Sequence, residues 1–278
     1  MTDVEQVRKT RSPAEAQRAR QEIPMDAFSG EAFLLVLGVI VFAGVVHGTF
    51  GLGFPMVATP MLALLADVQT AILLTLVPNI AVNLWSMLRG GEWGNSLGRF
   101  WPVAVWMLLG AFLGTLVLTS LDPNPFRLLL AAVILVYLLN PYLRFFSWSW
   151  VSQHPQASGA GAGLLAGFLG GTVNVGGPAL MIYFLEMRVP PMVWVQAINL
   201  AFLLGKIMQT ATFAALGFLT VPWWFLSLPL TGVALLGLRA GMWIRERQPS
   251  ERYRRGLQGL LWVLMVLLIV QFLYGGSH

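Results

Sequence analysis

The chain has 278 residues, 57% of them hydrophobic and 10% Asp, Glu, Lys or Arg, with no cysteine and a formal charge of +5. A soluble domain carries roughly 25% charged residues because its surface faces water, so most of this surface faces something apolar. Without cysteine there is no disulfide framework, thiol chemistry or thiolate metal site, and a net positive charge in so apolar a chain reads as loop arginine rather than nucleic-acid binding.

In chain order, residues 1–30 form a polar tail of mixed charge, from Asp3, Glu5 and Arg8 to Glu22 and Asp26. The apolar run that follows is too long for a signal-peptide core and lacks a small-residue cleavage site, so the tail is expected to stay attached and to precede a true span. Apolar segments then lie near 31–50, 55–66, 68–88, 100–119 and 126–146. After a linker at 147–157, five more lie near 158–173, 177–187, 192–216, 222–244 and 256–274. The long ones approach or exceed the ~20 residues that cross a ~30 Å hydrocarbon core. The predicted fold class is an all-α integral membrane protein.

The two sets of five read as one repeated unit, 31–146 and 158–274. Gly44, Gly48, Thr49, Gly51, Gly53 and Pro55 recur as Gly167, Gly171, Thr172, Asn174, Gly176 and Pro178. Asn79 and Pro102 match Asn199 and Pro222, and Gly110, Gly114 and Arg127 match Gly237, Gly241 and Arg254. An odd number of crossings per unit places the second copy upside down, giving inverted-topology repeats. If the short segments 55–66 and 177–187 re-enter instead, eight crossings remain and the repeats are parallel; ten is the expectation.

Orientation follows from arginine. Arg245, Arg247, Arg252, Arg254 and Arg255 crowd one loop, which the positive-inside rule puts in the cytoplasm. Arg89, Arg99, Arg144 and Arg188 then fall on the same side, and both termini lie outside. Trp148, Trp150, Trp194, Trp223, Trp224 and Trp243, near segment ends, are expected as interfacial anchors.

The sharpest local feature is the pair Gly51-Leu52-Gly53-Phe54-Pro55 and Asn174-Val175-Gly176-Gly177-Pro178, each interrupting an apolar stretch. Glycine permits unusual φ, and proline suits the first turn of a new helix. Broken backbone survives at membrane depth only where it is buried in protein or lines a cavity, and half-helix N-termini offer N–H donors to an anion. Matched interruptions in two repeats therefore point to a transport site. The stripes Gly44/Gly48 and Gly163/Gly167 read equally as close helix packing. Lys206 sits mid-segment with Asn199 and Thr210 on nearly one helical face and Gln196 and Gln209 on its flanks. With no carboxylate at its depth, the ammonium is expected to lack a protein counter-ion and to receive an anionic ligand; snorkelling, or a bond to Asn199 in the neutral form, is the alternative. In the first unit Thr75, Asn79, Asn83 and Ser86 share a face, with Asn79 matching Asn199 and Ser86 matching Lys206. Interhelical hydrogen bonding is as good a reading of any single asparagine as ligand contact. His47 could donate to an anion or titrate, or simply pack against a carbonyl. No HExxH, Gly-x-Ser-x-Gly, phosphate-binding loop or Cys/His cluster occurs, so an enzyme, a metal or a cofactor has no support.

At these motifs the chain resembles the TauE/SafE family of sulfite-exporter-type anion permeases. The resemblance rests on GTFGLGFPMVATPML and LGGTVNVGGPALMIY, each followed by an Asn-bearing segment, LTLVPNIAVNL and QAINLAFLLGK. It covers about residues 31–274 and implies transport of sulfur oxyanions or organosulfonates, typically export of sulfite or a relative. The expected ligand set is Lys206, Asn199, Asn174, Asn79, Asn83 and His47, with backbone donors at Gly51, Gly53, Gly176 and Gly177. The expected partners are a small anion and membrane lipids, with a homodimer open and nucleic acid excluded. The expected location is the cell membrane, multi-pass, the inner membrane in a bacterium. An importer coupled to protons, and a non-transporting membrane scaffold that uses the glycines for packing, are the competing readings. The orientation is checked by cysteine labelling, since no native thiol competes. Arg247→Cys should react only with an impermeant reagent applied from inside, and modification from outside would reverse the topology.

Overall fold

A computed structural model describes residues 30–91, 93–122, 124–143, 149–247 and 251–275. The expectations for the tail at 1–29, Arg144, Trp148 and His278 lie outside the described residues, as do those for the side chains of Arg252 and Arg254. Among the described residues every regular element is a helix. These are α1 (Gly30–Phe50), α2 (Phe54–Leu65), α3 (Val68–Leu88), α4 (Arg99–Ser120) and α5 (Asn124–Leu143). They are followed by α6 (Ser149–Gln153), α7 (Pro155–Val173), α8 (Gly177–Glu186), α9 (Pro191–Ala215), α10 (Val221–Arg247) and α11 (Glu251–Gly275). Six helical stretches are long and apolar enough to cross a membrane: Gly30–Phe50, Val68–Leu88, Gly94–Ser120, Pro191–Ala215, Trp223–Arg247 and Arg255–Tyr274. The chain is an all-α membrane protein.

Local chemistry explains the boundaries. Asp67 caps α3, accepting hydrogen bonds from Thr70 N at 3.0 Å and Thr70 Oγ1 at 2.6 Å. Proline stands in the first turn of α2, α7, α8 and α9, where its missing N–H costs nothing. Two elements escape the apolar pattern. A π-helical turn at Gly94–Gly98 leads into α4, and the short helix α6 occupies part of the expected linker, with α7 beginning at Pro155.

The halves pack by exchange. α1 lies against α10, and α4 against α7, so the first helix of each half meets the fourth of the other. α3 and α9 meet each other, as do α5 and α11. A Cβ on Gly44 would meet Ala234 O at 2.5 Å, and one on Gly48 would meet Leu238 O at 2.1 Å. A Cβ on Gly241 would lie 2.0 Å from Val45 O. Position rises together along both helices, so α1 and α10 run in the same direction. The α4–α7 crossing repeats this pattern: Cβ atoms at Gly110 and Gly167 would stand 2.1 Å from Leu164 O and Met107 O. In lipid no hydrophobic force drives helices together, and such backbone approach replaces it.

Phe50, Arg89, Pro191 and Arg245 line one cavity, so the ends of α1, α3 and α10 and the start of α9 share one end of the bundle, called here the arginine face. At the opposite face Ala66, just after α2, accepts a hydrogen bond from Arg127 near the start of α5 at 2.8 Å, and Leu64 accepts one from Gln271 near the end of α11 at 3.0 Å. The 12 residues of α2, about 18 Å long, therefore run toward the opposite face. One aromatic expectation is corrected. Trp150, Trp224 and Trp243 are exposed, but Trp223 is fully buried, its indole N–H donating to Leu73 O at 3.0 Å. It is a core residue of the bundle, because its ring points at α3 rather than lipid.

The glycine crossings are required by shape. Gly167→Leu and Gly241→Leu should each force the helices apart and destabilise the protein by at least the ~1–3 kcal/mol usual for overpacking. Thermal unfolding in detergent checks this against Gly38→Ala, where a Cβ meets nothing within 4 Å. Unchanged melting of Gly167→Leu would mean that the crossing is not close-packed.

Candidate functional site

The two interruptions differ in one informative way. Gly51, just past the end of α1, has φ 78°, and its counterpart Asn174, capping α7, has φ 64°. Both close their helices in the left-handed conformation, for which glycine is the usual residue and asparagine the next best. The Asn174 side chain then does what Gly51 cannot. Its Nδ2 donates to Thr59 Oγ1 at 2.8 Å and Thr75 Oγ1 at 3.0 Å, both in the first half. Asn79 Nδ2 stands 3.5 Å from Asn174 Oδ1, and Asn83 Nδ2 donates to Asn79 O at 2.7 Å and Asn79 Oδ1 at 2.6 Å. Asn79, Asn83 and Asn174 thus form one buried network with Thr59 and Thr75.

The predicted ligand set is not one cluster. Gly53, Gly176 and Gly177, with the first turns of α2 and α8, meet around a closed space of about 20 Å³ lined also by Tyr137, Met181 and Phe202. That volume holds about one water. Lys206 lies elsewhere, buried against α7. Its Nζ donates to Gly170 O at 3.2 Å and, very closely, to Gln209 Oε1, while Gln209 Nε2 donates to Gly171 O at 2.9 Å. Gly170 and Gly171 belong to the last turn of α7, whose carbonyls have no intrahelical partner and carry the negative end of the helix dipole. Neutral oxygens of Gly170 and Gln209 receive the Lys206 amine, and among the described residues no carboxylate bonds it.

His47 and Gly51 line a third place. A cavity of about 430 Å³ opens on the arginine face between the ends of α1, α3 and α10 and the start of α9. Arg89 and Arg245, both exposed, stand at its mouth, and Ser86, Gln196 and the fully buried His47 lie deeper. No carboxylate is among its lining residues. His47 Nε2 is 3.0 Å from Ser86 Oγ, while its Nδ1 has no hydrogen bond. Asn199 is a neighbour of His47, and its Nδ2 donates to Gly51 O at 2.9 Å and Val195 O at 2.8 Å. Gln196 is held by Ser96 Oγ at 2.7 Å and itself donates to Met87 O at 2.9 Å. Arg89, Arg245 and Ser86 were absent from the predicted ligand set. The polar face that Ser86 shares with Asn79 and Asn83, and the crowding of Arg245 in a basic loop, were the available signals.

An all-α bundle of apolar helices, broken beside a cavity, is that of a polytopic membrane protein. Residues 36–268 match the family described as Sulfite exporter TauE/SafE, and the chain is a member of that family. Comparison with curated proteins and with solved structures gives no match.

Asn174 couples a backbone requirement to a side-chain network, and two substitutions separate them. Asn174→Gly keeps the left-handed turn and loses three hydrogen bonds, a loss of about 1–3 kcal/mol. Asn174→Ala adds ~1–2 kcal/mol for a Cβ in that conformation. Melting temperatures should fall in the order parent, Asn174→Gly, Asn174→Ala; an alanine variant as stable as the glycine one would remove the conformational argument.

Proposed function

We propose that the protein exports a small sulfur-containing oxyanion, sulfite or an organosulfonate, taking it from the cytoplasm through the cavity at the arginine face. The observation that carries this reading is the cavity itself. It runs from two exposed guanidiniums to the buried His47 and the half-buried Ser86 without a carboxylate in its wall. A cleft lined by one sign of charge within low-dielectric walls concentrates counter-ions and raises their rate of capture. Its volume lies within the ~300–1,000 Å³ range of small-molecule sites. Membership of a sulfite exporter family supports the anion class.

The arginine face is taken as cytoplasmic by the positive-inside rule. The two halves are taken as inverted repeats, which the parallel α1–α10 and α4–α7 crossings and the course of α2 toward the opposite face support. Exchange of their arrangements would then move the anion across. With an interior-negative potential, outward movement of one negative charge gains ~2.3 kcal/mol per 100 mV, so export requires no coupled cation. His47, Asn199 and Gln196 orient the anion in the cavity. Asn79, Asn83 and Asn174 hold the two broken helices together beneath it.

Flux of sulfite from proteoliposomes tests the reading. The double substitution Arg89→Gln, Arg245→Gln should lower flux at subsaturating sulfite about tenfold at low ionic strength, the lower end of what electrostatic focusing contributes. The deficit should shrink as salt screens the mouth. Undiminished flux in a folded double variant would place the anion path elsewhere.

A further inference from the structure

The repeat offsets assign each vestibule residue a mate in the other half. His47 corresponds to Gly170, Gly51 to Asn174, Ser86 to Lys206 and Arg89 to Gln209, while Met242 and Arg245 of α10 correspond to Thr115 and Leu118 of α4. The first set surrounds the open cavity. Every member of the second set is buried, and Lys206 and Gln209 bond the last turn of α7 at Gly170 and Gly171.

The filling has an identifiable cause at each pair. Where Gly51 has no side chain, Asn174 reaches Thr59 and Thr75. Where Ser86 is too short to close the gap and meets the ring of His47, Lys206 spans it to Gly170 O. Where Arg89 is exposed at the mouth, Gln209 folds inward onto Gly171 O. Resting on the transport reading above, we propose that the contact of Lys206 and Gln209 with the last turn of α7 is the closed counterpart of the vestibule on the other face. We further propose that its opening turns the Lys206 ammonium to the departing anion.

Charge chemistry makes this contact ligand-sensitive. Lys206 is held by amide oxygens, which satisfy its N–H donors but supply no counter-charge. A cation at membrane depth is expensive, and a full negative charge stabilises it more than carbonyl dipoles do. An anion arriving between the halves therefore competes with Gly170 O and Gln209 for the ammonium. It favours the state in which that contact is broken, as any ligand favours the conformation it binds better. The first half has no such cation at the matching depth, only Ser86 and His47, so the two doors differ: the arginine-face door has its charge at the rim, and the opposite door has it inside.

The chain contains no cysteine, so single reporters can be read cleanly. Met242→Cys should react with an impermeant maleimide from the arginine face, and Thr115→Cys should be nearly inert from the opposite face. Adding Lys206→Met with Gln209→Leu should raise the Thr115→Cys rate at least tenfold and lower that of Met242→Cys, with helical content retained. Equal Thr115→Cys reactivity with and without the gate substitutions overturns the proposal.

On the unmodified chain, sulfite should speed hydrogen exchange across residues 167–174. Exchange there that is unchanged at saturating sulfite, while sulfite flux proceeds, overturns it as well. Increased Thr115→Cys labelling in a protein that moves no sulfite would leave the paired door standing and remove the substrate assignment instead.

Discussion

A peptide carbonyl buried away from water must find a donor, and this bundle interrupts its helices where no water can supply one. Six buried or half-buried polar side chains answer that demand. Asn199 donates to Gly51 O, Gln196 to Met87 O, Gln271 to Leu64 O, Arg127 to Ala66 O, and Lys206 and Gln209 to Gly170 O and Gly171 O. Each donor sits on a helix other than the one it caps, and three of the six (Asn199, Gln196 and Gln271) come from the other half of the chain. Capping and tertiary association are thus one interaction here: the end of α1 is capped from the other half by Asn199, and the end of α7 from its own half by Lys206 and Gln209.

The glycine crossings set the distance at which those bonds can form. With α1 on α10 and α4 on α7 at backbone contact, the ends of α1 and α7 are brought within reach of α9 and α3, where the asparagines stand. A helix held one side chain further away would move Gly51 O beyond Asn199, and Gly170 O beyond Lys206. The small-residue stripes therefore act on the site without touching it. The packing and functional readings of these glycines are then no longer rivals: the stripes fix separation, and Gly51 and Asn174 provide the turn.

The elements were legible in the sequence because each apolar run ends at proline, glycine or a polar cap, and the long helices lie within a few residues of where periodicity puts them. The Gly-Pro interruptions and the equivalence of Asn79 with Asn199 were legible for the same reason: they are local patterns that occur twice. The partners of Lys206 were not, since a search for counter-ions surveys side chains while its acceptors are a glycine carbonyl and an amide. Nor was the vestibule, because Arg89, Ser86 and Arg245 come from α3 and α10 and share no motif. Trp223 was misread because nearness to a segment end says nothing about which face of the helix a ring occupies. The π-turn at Gly94–Gly98 and the helix at Ser149–Gln153 carry too few apolar residues to register as periodic.

On the transport reading proposed above, duplication would explain why so few residues decide which face is open. Two copies of one unit, packed by exchange, would have cavities of equal size on both faces if their sequences were identical. In this structure the differences at the matched positions favour closing the same door. Glycine against asparagine at 51 and 174 removes a side chain from one side and adds a four-atom plug to the other. Serine against lysine at 86 and 206 leaves a gap on one side and bridges it on the other. The asymmetric state is thus written in a handful of substitutions laid on a symmetric frame. If a mirror state exists as proposed, the energy separating the two would be the difference between two small sets of hydrogen bonds, of order 0.5–1.5 kcal/mol each. A gap that small is within reach of one bound anion and one salt bridge to Lys206. A protein whose closed door was held instead by a buried carboxylate–lysine pair would resist its substrate, because breaking such a pair leaves two uncompensated charges. Neutral oxygens around Lys206 therefore suit a passage that has to open.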